Sequence, residues 1–212
     1  MVELVQGSAA WLQARVGKVT ASRMYDLTKK LKTGKTAAGR EAYMLELLAE
    51  RLTGLAAEHY VNGAMQWGID NEPRARAAYE WMKDAPVAPA GLVPHPRFSM
   101  AAASPDGLVG ADGLVEFKCP LSKTHVETLT TGEVPEEYLP QMLWQMACTG
   151  RAWCDFGSFD PRMPEGMDLF VVRVERDEAA IAAVEADVAA FLEELDQREA
   201  AIRERFALKL AA

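Results

Sequence analysis

Asp106, Glu116 and Lys118 are the residues whose types and spacing can do chemistry. They stand in two short runs, Ser104-Pro105-Asp106-Gly107-Leu108-Val109 and Gly113-Leu114-Val115-Glu116-Phe117-Lys118. Glu116 and Lys118 are two residues apart, so in an extended strand both project from one face. The intervening Gly110-Ala111-Asp112-Gly113 supplies a hairpin turn. Asp106 lies just before the opposing strand and reaches the same end. Charged groups set between apolar ones are costly to bury unpaired. Two readings follow: a salt-bridged edge strand, or a site for a hard cation. In the second, carboxylate oxygens suit magnesium, with manganese a possible substitute. Asp106 would bridge two ions, Glu116 would give a second carboxylate, and the Phe117 carbonyl would complete the shell. The bound ions would polarise a phosphodiester and activate water. Lys118 would position or deprotonate that water, or offset developing charge. An unperturbed lysine titrates near ~10.4, so activity is expected to rise towards alkaline pH.

Other constellations are weaker. Lys29 to Arg40, KKLKTGKTAAGR, carries four lysines and an arginine without an acid and reads as a mobile loop. Its GKT is not a nucleotide-binding loop, because the required earlier glycine is Lys29 and no apolar strand precedes it. His59, His95 and His125 have no ligand spacing and read as surface or structural. Cys119, Cys148 and Cys154 are too few and too irregular for a disulfide framework or a zinc site, which favours a reducing cytoplasm.

The elements that must position the trio are legible from periodicity. Thr20 can cap a short helix holding Ser22 to Leu27. Residues 41–53 form a helix with Met44, Leu47, Leu48 and Leu52 on one face, ended by Gly54. Helix returns over 65–82, with Pro73 marking the first turn of a new segment. Strands are expected at 98–103, 107–109, 114–119, 153–159 and 169–175. Residues 136–148 form a helix with Pro140 early in it. A C-terminal helix, about 177 to 208, aligns Ile181, Val184, Val188, Leu192, Leu195, Ile202 and Phe206. This order predicts an α/β (α+β) fold with a central mixed β-sheet flanked by helices.

The chain has 212 residues and half are apolar, which suits one globular domain over 1–212. No apolar run is long enough for a membrane span, and the N-terminus lacks the pattern of a signal peptide. The net charge of -8 opposes a nucleic-acid partner. However, Asp177 to Glu199 holds eight acids and one base, a balance of -7, so nearly all the excess sits in one segment.

The pattern P-D…E-x-K resembles the PD-(D/E)xK nuclease superfamily, whose core is restriction-endonuclease-like. The resemblance extends along the chain. The run from Trp11 through Arg15 and Gly17 to Thr20-Ala21-Ser22 is similar to the N-terminal signature of the phage lambda exonuclease and YqaJ-type viral recombinase family. Trp67-Gly68 with Glu72-Pro73-x-Ala75-Arg76-x-x-Tyr79, then Ser104-Pro105-Asp106-Gly107, Glu116-x-Lys118-Cys119-Pro120, Tyr138-x-x-Gln141 and Asp160-Pro161-Arg162-Met163, follow in the family's order.

The resemblance implies a processive 5′-to-3′ exonuclease on linear double-stranded DNA that releases mononucleotides and leaves a 3′ single strand. It implies a two-magnesium-ion site with Asp106 and Glu116 as ligands, Glu72 as an additional carboxylate and Lys118 as the catalytic lysine. It assigns a 5′-phosphate pocket to Arg15, Ser22, Ser104 and Gln141. Trp11 reads as a base-stacking or a core side chain, and Lys30, Lys32, Lys35 and Lys123 as phosphate contacts. Cys119 matches a family position but is expected to pack. The implied context is a phage or prophage protein acting in a bacterial cytoplasm as a homotrimeric ring, passing its single strand to an annealing recombinase. Two competing readings are a structure-specific endonuclease or nickase of the same fold, and a non-catalytic DNA-end-binding assembly protein.

Overall fold

The computed structural model describes residues 5–30, 37–57 and 62–210. They fall into two compact units. One comprises residues 1–58, 91–104 and 178–212; the other comprises 59–90 and 105–177. The fold is of the α/β class, with two mixed sheets and flanking helices.

The first unit contains helices α1 (Ala9–Arg15), α2 (Met24–Thr28), α3 (Ala38–Thr53) and α7 (Glu178–Leu210). Its sheet is short: β1 (Val19–Thr20) runs parallel to β4 (Ala101–Ala103), which pairs antiparallel with β3 (Val93–Pro94). The predicted strand at 98–103 is therefore half a turn and half a strand, because the Ala101 N–H bonds back to the Phe98 carbonyl. Thr20 precedes a 3-10 turn, Ala21–Arg23, without capping it through its side chain. Its hydroxyl instead accepts a hydrogen bond from Arg15. In α3 the buried face is Tyr43, Met44, Leu47 and Leu48, while the expected Leu52 is exposed. Gly54 ends this helix at φ +71, where a side chain would be strained. In α7, Ile181, Val184, Val188, Phe191 and Leu195 are buried, but Phe206 is exposed.

The second unit holds a five-stranded sheet in the order β2 (Val87–Ala88), β5 (Gly107–Val109), β6 (Gly113–Lys118), β7 (Trp153–Phe159), β8 (Leu169–Glu175). Only β6 and β7 run parallel. Helices α4 (Gly63–Lys83), α5 (Ser122–Thr131) and α6 (Leu139–Thr149) belong to it. The helix α4 does not restart at Pro73 but runs through it. A proline inside a helix costs about 3 kcal/mol. Burial of Ala75 and Tyr79 in a cluster with Val115, Phe117 and Phe159 opposes that cost. The Tyr79 hydroxyl also donates to Asp155 at 2.7 Å, and Arg173 grips the same carboxylate at 2.8 and 3.1 Å. The helix expected over 136–148 begins as a 3-10 turn, Glu136–Tyr138, and becomes α-helical at Leu139, which puts Pro140 in the first turn where its missing N–H does no harm. His125 is fully buried, with Nδ1 at 2.8 Å from the Ser158 hydroxyl and Nε2 at 2.8 Å from the Met167 carbonyl. His95 is buried as well, so both described histidines are structural rather than surface residues.

Candidate active site

The two faces of β6 divide its labour. Val115 and Phe117 point into the apolar cluster with α4. Glu116 and Lys118 point to the other face, where α6 delivers two glutamines. Glu116 is 2% exposed. Its Oε1 accepts from Lys118 Nζ at 2.8 Å and from Gln141 Nε2 at 2.5 Å, and its Oε2 accepts from Gln145 Nε2 at 2.6 Å. Lys118 also donates to Gln141 Oε1 at 3.1 Å and lies 5.0 Å above the Tyr138 ring. Gln141 thus joins the carboxylate–lysine pair.

Asp106 is brought to the same strand by the β5–β6 hairpin. The carboxylate is 9% exposed, and its Oδ2 accepts from the Phe117 backbone N–H at 2.6 Å. In extended chain a residue's N–H and C=O point to one edge, so the Phe117 carbonyl lies on the Asp106 side. Among the described residues Oδ1 of Asp106 receives no hydrogen bond. Arg76, one turn after Glu72 on α4, donates to the Asp106 backbone carbonyl at 2.6 Å and to Glu72 at 3.5 Å. Gly107 makes room for this: a Cβ there would meet the Val87 methyl at 2.0 Å and Arg76 Nη1 at 3.2 Å.

The electrostatics follow from the crowding. Burial, then the charges of Glu116 and Glu72, push the Asp106 carboxyl well above the usual carboxylate range. Burial raises Glu72 too, opposed by Arg76 and reinforced by Glu116. Burial lowers the Lys118 ammonium, but Glu116 and Asp106 outweigh it and push it up to about 12. Burial, followed by Glu72 and Asp106, pushes the Cys119 thiol up to about 12. It is therefore a neutral packing group.

Three carboxylates, Asp106, Glu116 and Glu72, stand against Lys118 and Arg76, which leaves the site with an excess of acid. Among the described residues no three His, Cys, Asp or Glu side chains converge as a ready-made cage. A hard divalent cation does not require one, because magnesium keeps several waters and takes one or two carboxylates plus substrate phosphate. Asp106 with its open Oδ1, Glu116 and the Phe117 carbonyl fit such an ion.

The sequence-predicted phosphate-pocket residues divide between the units. Arg15, Ser22 and Ser104 belong to the first and Gln141 to the second. Within the first, Trp11 is a hub. Its indole N–H donates to Ser104 Oγ at 2.9 Å, and the Arg15 guanidinium stacks 4.1 Å above its ring. Arg15 also donates to Thr20 Oγ1 at 3.3 Å. Trp11 is half-buried, with one face already covered by Arg15. Ser22 is exposed in the 3-10 turn and is not a helix cap, since Arg23 precedes α2. Lys30 is paired with Asp187 at 3.1 Å, and Lys123 is exposed in the first turn of α5. Lys32 and Lys35 lie outside the described residues, as does His59.

Sequence reasoning gave no role to Arg76 or Gln145, although both stand one helical turn from a residue it did select: Arg76 from Glu72, and Gln145 from Gln141. The Asp160-Pro161-Arg162 run is a closed loop. Asp160 accepts from the Arg162 backbone N–H at 3.0 Å and from Nε at 2.7 Å, while Arg162 stacks 4.4 Å from Trp67. Burial raises the Asp160 carboxyl, but bonds from Arg162 and Ser122 hold it down to about 2. A depressed carboxylate stabilises the fold above its unfolded value, about 3.9, and that stability is lost as pH falls through about 2. Asp160→Asn is expected to cost roughly 1–2 kcal/mol at pH 7 and only a small part of that near pH 2. Urea unfolding at both pH values checks this; an equal loss at both would contradict it.

The sequence profile of the YqaJ-like viral recombinase domain matches residues 10–152. The chain belongs to the YqaJ-like viral recombinase family. Among solved structures, this member of the family resembles the alkaline exonuclease LHK-Exo from Laribacter hongkongensis. The two are 48% identical over 96% of this chain and 100% of that one, with a TM-score of 0.88. The same enzyme has been solved in complex with dAMP, with the same degree of similarity. A phage-related exonuclease from Haemophilus somnus 129PT shares the fold at 16% identity, covering 87% of this chain and 96% of that one, with a TM-score of 0.67. No curated protein sequence matches the chain. Among the described residues no helix is long and apolar enough to cross a membrane.

Proposed function

We propose that this protein is a metal-dependent exonuclease that degrades linear double-stranded DNA from a phosphorylated 5′ end. The observation that carries the reading is the Asp106–Glu116–Lys118 constellation, with both carboxylates buried, in a chain 48% identical to an alkaline exonuclease. The dAMP complex of that relative agrees with a mononucleotide product.

Asp106, Glu116 and the Phe117 carbonyl would hold two magnesium ions, with Glu72 holding the second ion or its waters. The ions would supply Lewis-acid polarisation of the phosphodiester and a more acidic water. This chain's own groups do the rest. Lys118 has three N–H donors, two of which are spent on Glu116 and Gln141. The third is left to orient water or to meet charge developing on phosphate. Arg15, Ser22 and Ser104 of the first unit would grip the 5′-phosphate. Arg15 offers a planar fork for a phosphate. Ser104 accepts from Trp11, which frees its own O–H to donate to an anion.

The same reading makes the protein a phage or prophage component in a bacterial cytoplasm. There it would work as a homotrimeric ring and hand its 3′ strand to a single-strand annealing recombinase. The test is digestion in magnesium of linear duplexes with 5′-phosphate or 5′-hydroxyl ends, beside covalently closed circles. Mononucleotides released from the 5′-phosphorylated linear duplex are expected, with none in EDTA. Efficient cutting of closed circles would instead establish an endonuclease.

A further inference from the structure

We infer that Gln145 is a positioning residue that fixes which lone pair of Glu116 is left for a cation; the inference rests on Glu116 being a metal ligand. Gln145 is 0% exposed, so its amide must find partners inside the protein. It finds two. Nε2 donates to Glu116 Oε2 at 2.6 Å, and Oε1 faces the Cys154 thiol at 3.8 Å. A carboxylate only accepts, so a flipped amide would lose the bond to Glu116 and set its oxygen against the carboxylate. Burial, then Glu116 and Asp106, keep the Cys154 thiol protonated.

Counting lone pairs shows what this achieves. A carboxylate has about four acceptor positions. Lys118 and Gln141 fill both on Oε1, and Gln145 takes one on Oε2. One position remains, on the oxygen that Gln145 holds. Glu116 therefore offers a single oxygen in a fixed direction, and the neutral amide sets that direction without cancelling the charge. Groups that orient ligands in this way typically change metal affinity ten- to a hundredfold when removed (on the order of 10–100).

Gln145→Met keeps the shape and removes the donor. Titration of the full chain with Mn2+ alone, by calorimetry, is expected to show at least about tenfold weaker binding than wild type. The Mn2+ concentration for half-maximal cleavage should rise in step, while the melting temperature in EDTA also falls, because a buried carboxylate loses a donor. A merely structural glutamine would lower the melting temperature in EDTA and leave the Mn2+ affinity alone, which overturns the inference. Glu116→Gln separates the two levels. If it abolishes Mn2+ binding while Gln145→Met matches wild type, the positioning role fails and the ligand reading stands. If Glu116→Gln binds Mn2+ like wild type, both fail. Should Gln145→Met not fold, Gln145→Asn keeps an amide one methylene too short and carries the same expectation.

Discussion

Asp106→Asn is expected to lower DNA cleavage by about a thousandfold while raising the melting temperature of the metal-free protein. The first effect follows from the proposed role of Asp106 as a metal ligand. A loss of that size corresponds to about 4 kcal/mol of transition-state stabilisation. The second follows from the packing. Asp106 is buried beside Glu116 and Glu72, and burial and those two charges raise its titration well above the usual range. For an acid raised in the folded state, folding penalises the charged form. The penalty is absent below the unfolded value, near ~3.9, and grows as pH rises through the folded one. At neutral pH the substitution relieves it, and the asparagine oxygen can still accept the Phe117 N–H. A rise of at least about 2 °C is expected, which a gain of about 1 kcal/mol gives in a chain of this size. Magnesium should stabilise wild type by up to ~2.7 kcal/mol at a hundredfold excess over its dissociation constant, and the variant much less. Differential scanning calorimetry in EDTA and in magnesium, beside cleavage rates, tests all three statements. A variant that melts lower in EDTA, or cleaves within tenfold of wild type, would remove Asp106 from the role.

Arg15→Ala should abolish the preference for 5′-phosphorylated ends, a change of roughly a hundredfold in the ratio of kcat/KM for 5′-phosphate over 5′-hydroxyl duplexes. A charge-assisted hydrogen bond is worth about 1.5–3 kcal/mol, and each 1.36 kcal/mol is tenfold. The guanidinium is already aimed, because one face lies on Trp11 and one N–H is tied to Thr20. Lysine cannot reproduce the stack or the fork, so Arg15→Lys should recover little of the preference. Competition between the two end types in one reaction gives the ratio directly. A ratio unchanged in Arg15→Ala would dismiss this role.

The trio was readable because it sits on a hairpin whose turn and alternation are local. The strands 107–109, 153–159 and 169–175 have the expected limits for the same reason. What escaped was decided by contacts distant in sequence. Pro73 reads locally as a helix start, yet α4 continues through it because Ala75 and Tyr79 are packed on the sheet. Thr20 reads as a cap, yet its hydroxyl serves Arg15. The short strands β1, β2 and β3, each two residues long, carry no period that a sequence can display. At the site, Glu116 alone could not reveal that two glutamines and a lysine would converge on it. The pairing of Gln141 with Gln145 becomes meaningful only once α6 is known to face β6.

The acidic helix α7 looked, from composition, like a repulsive surface for a polyanion. Five of its carboxylates are instead occupied. Asp187 holds Lys30, Glu194 holds Arg40 and Arg198, Asp196 and Glu199 hold Arg51, and Glu185 holds Arg97. Cations already neutralised by protein carboxylates displace few counterions from a nucleic acid. The ionic-strength dependence of DNA binding should therefore be shallower than the number of lysines and arginines in the chain suggests, and it counts only those that α7 has not claimed.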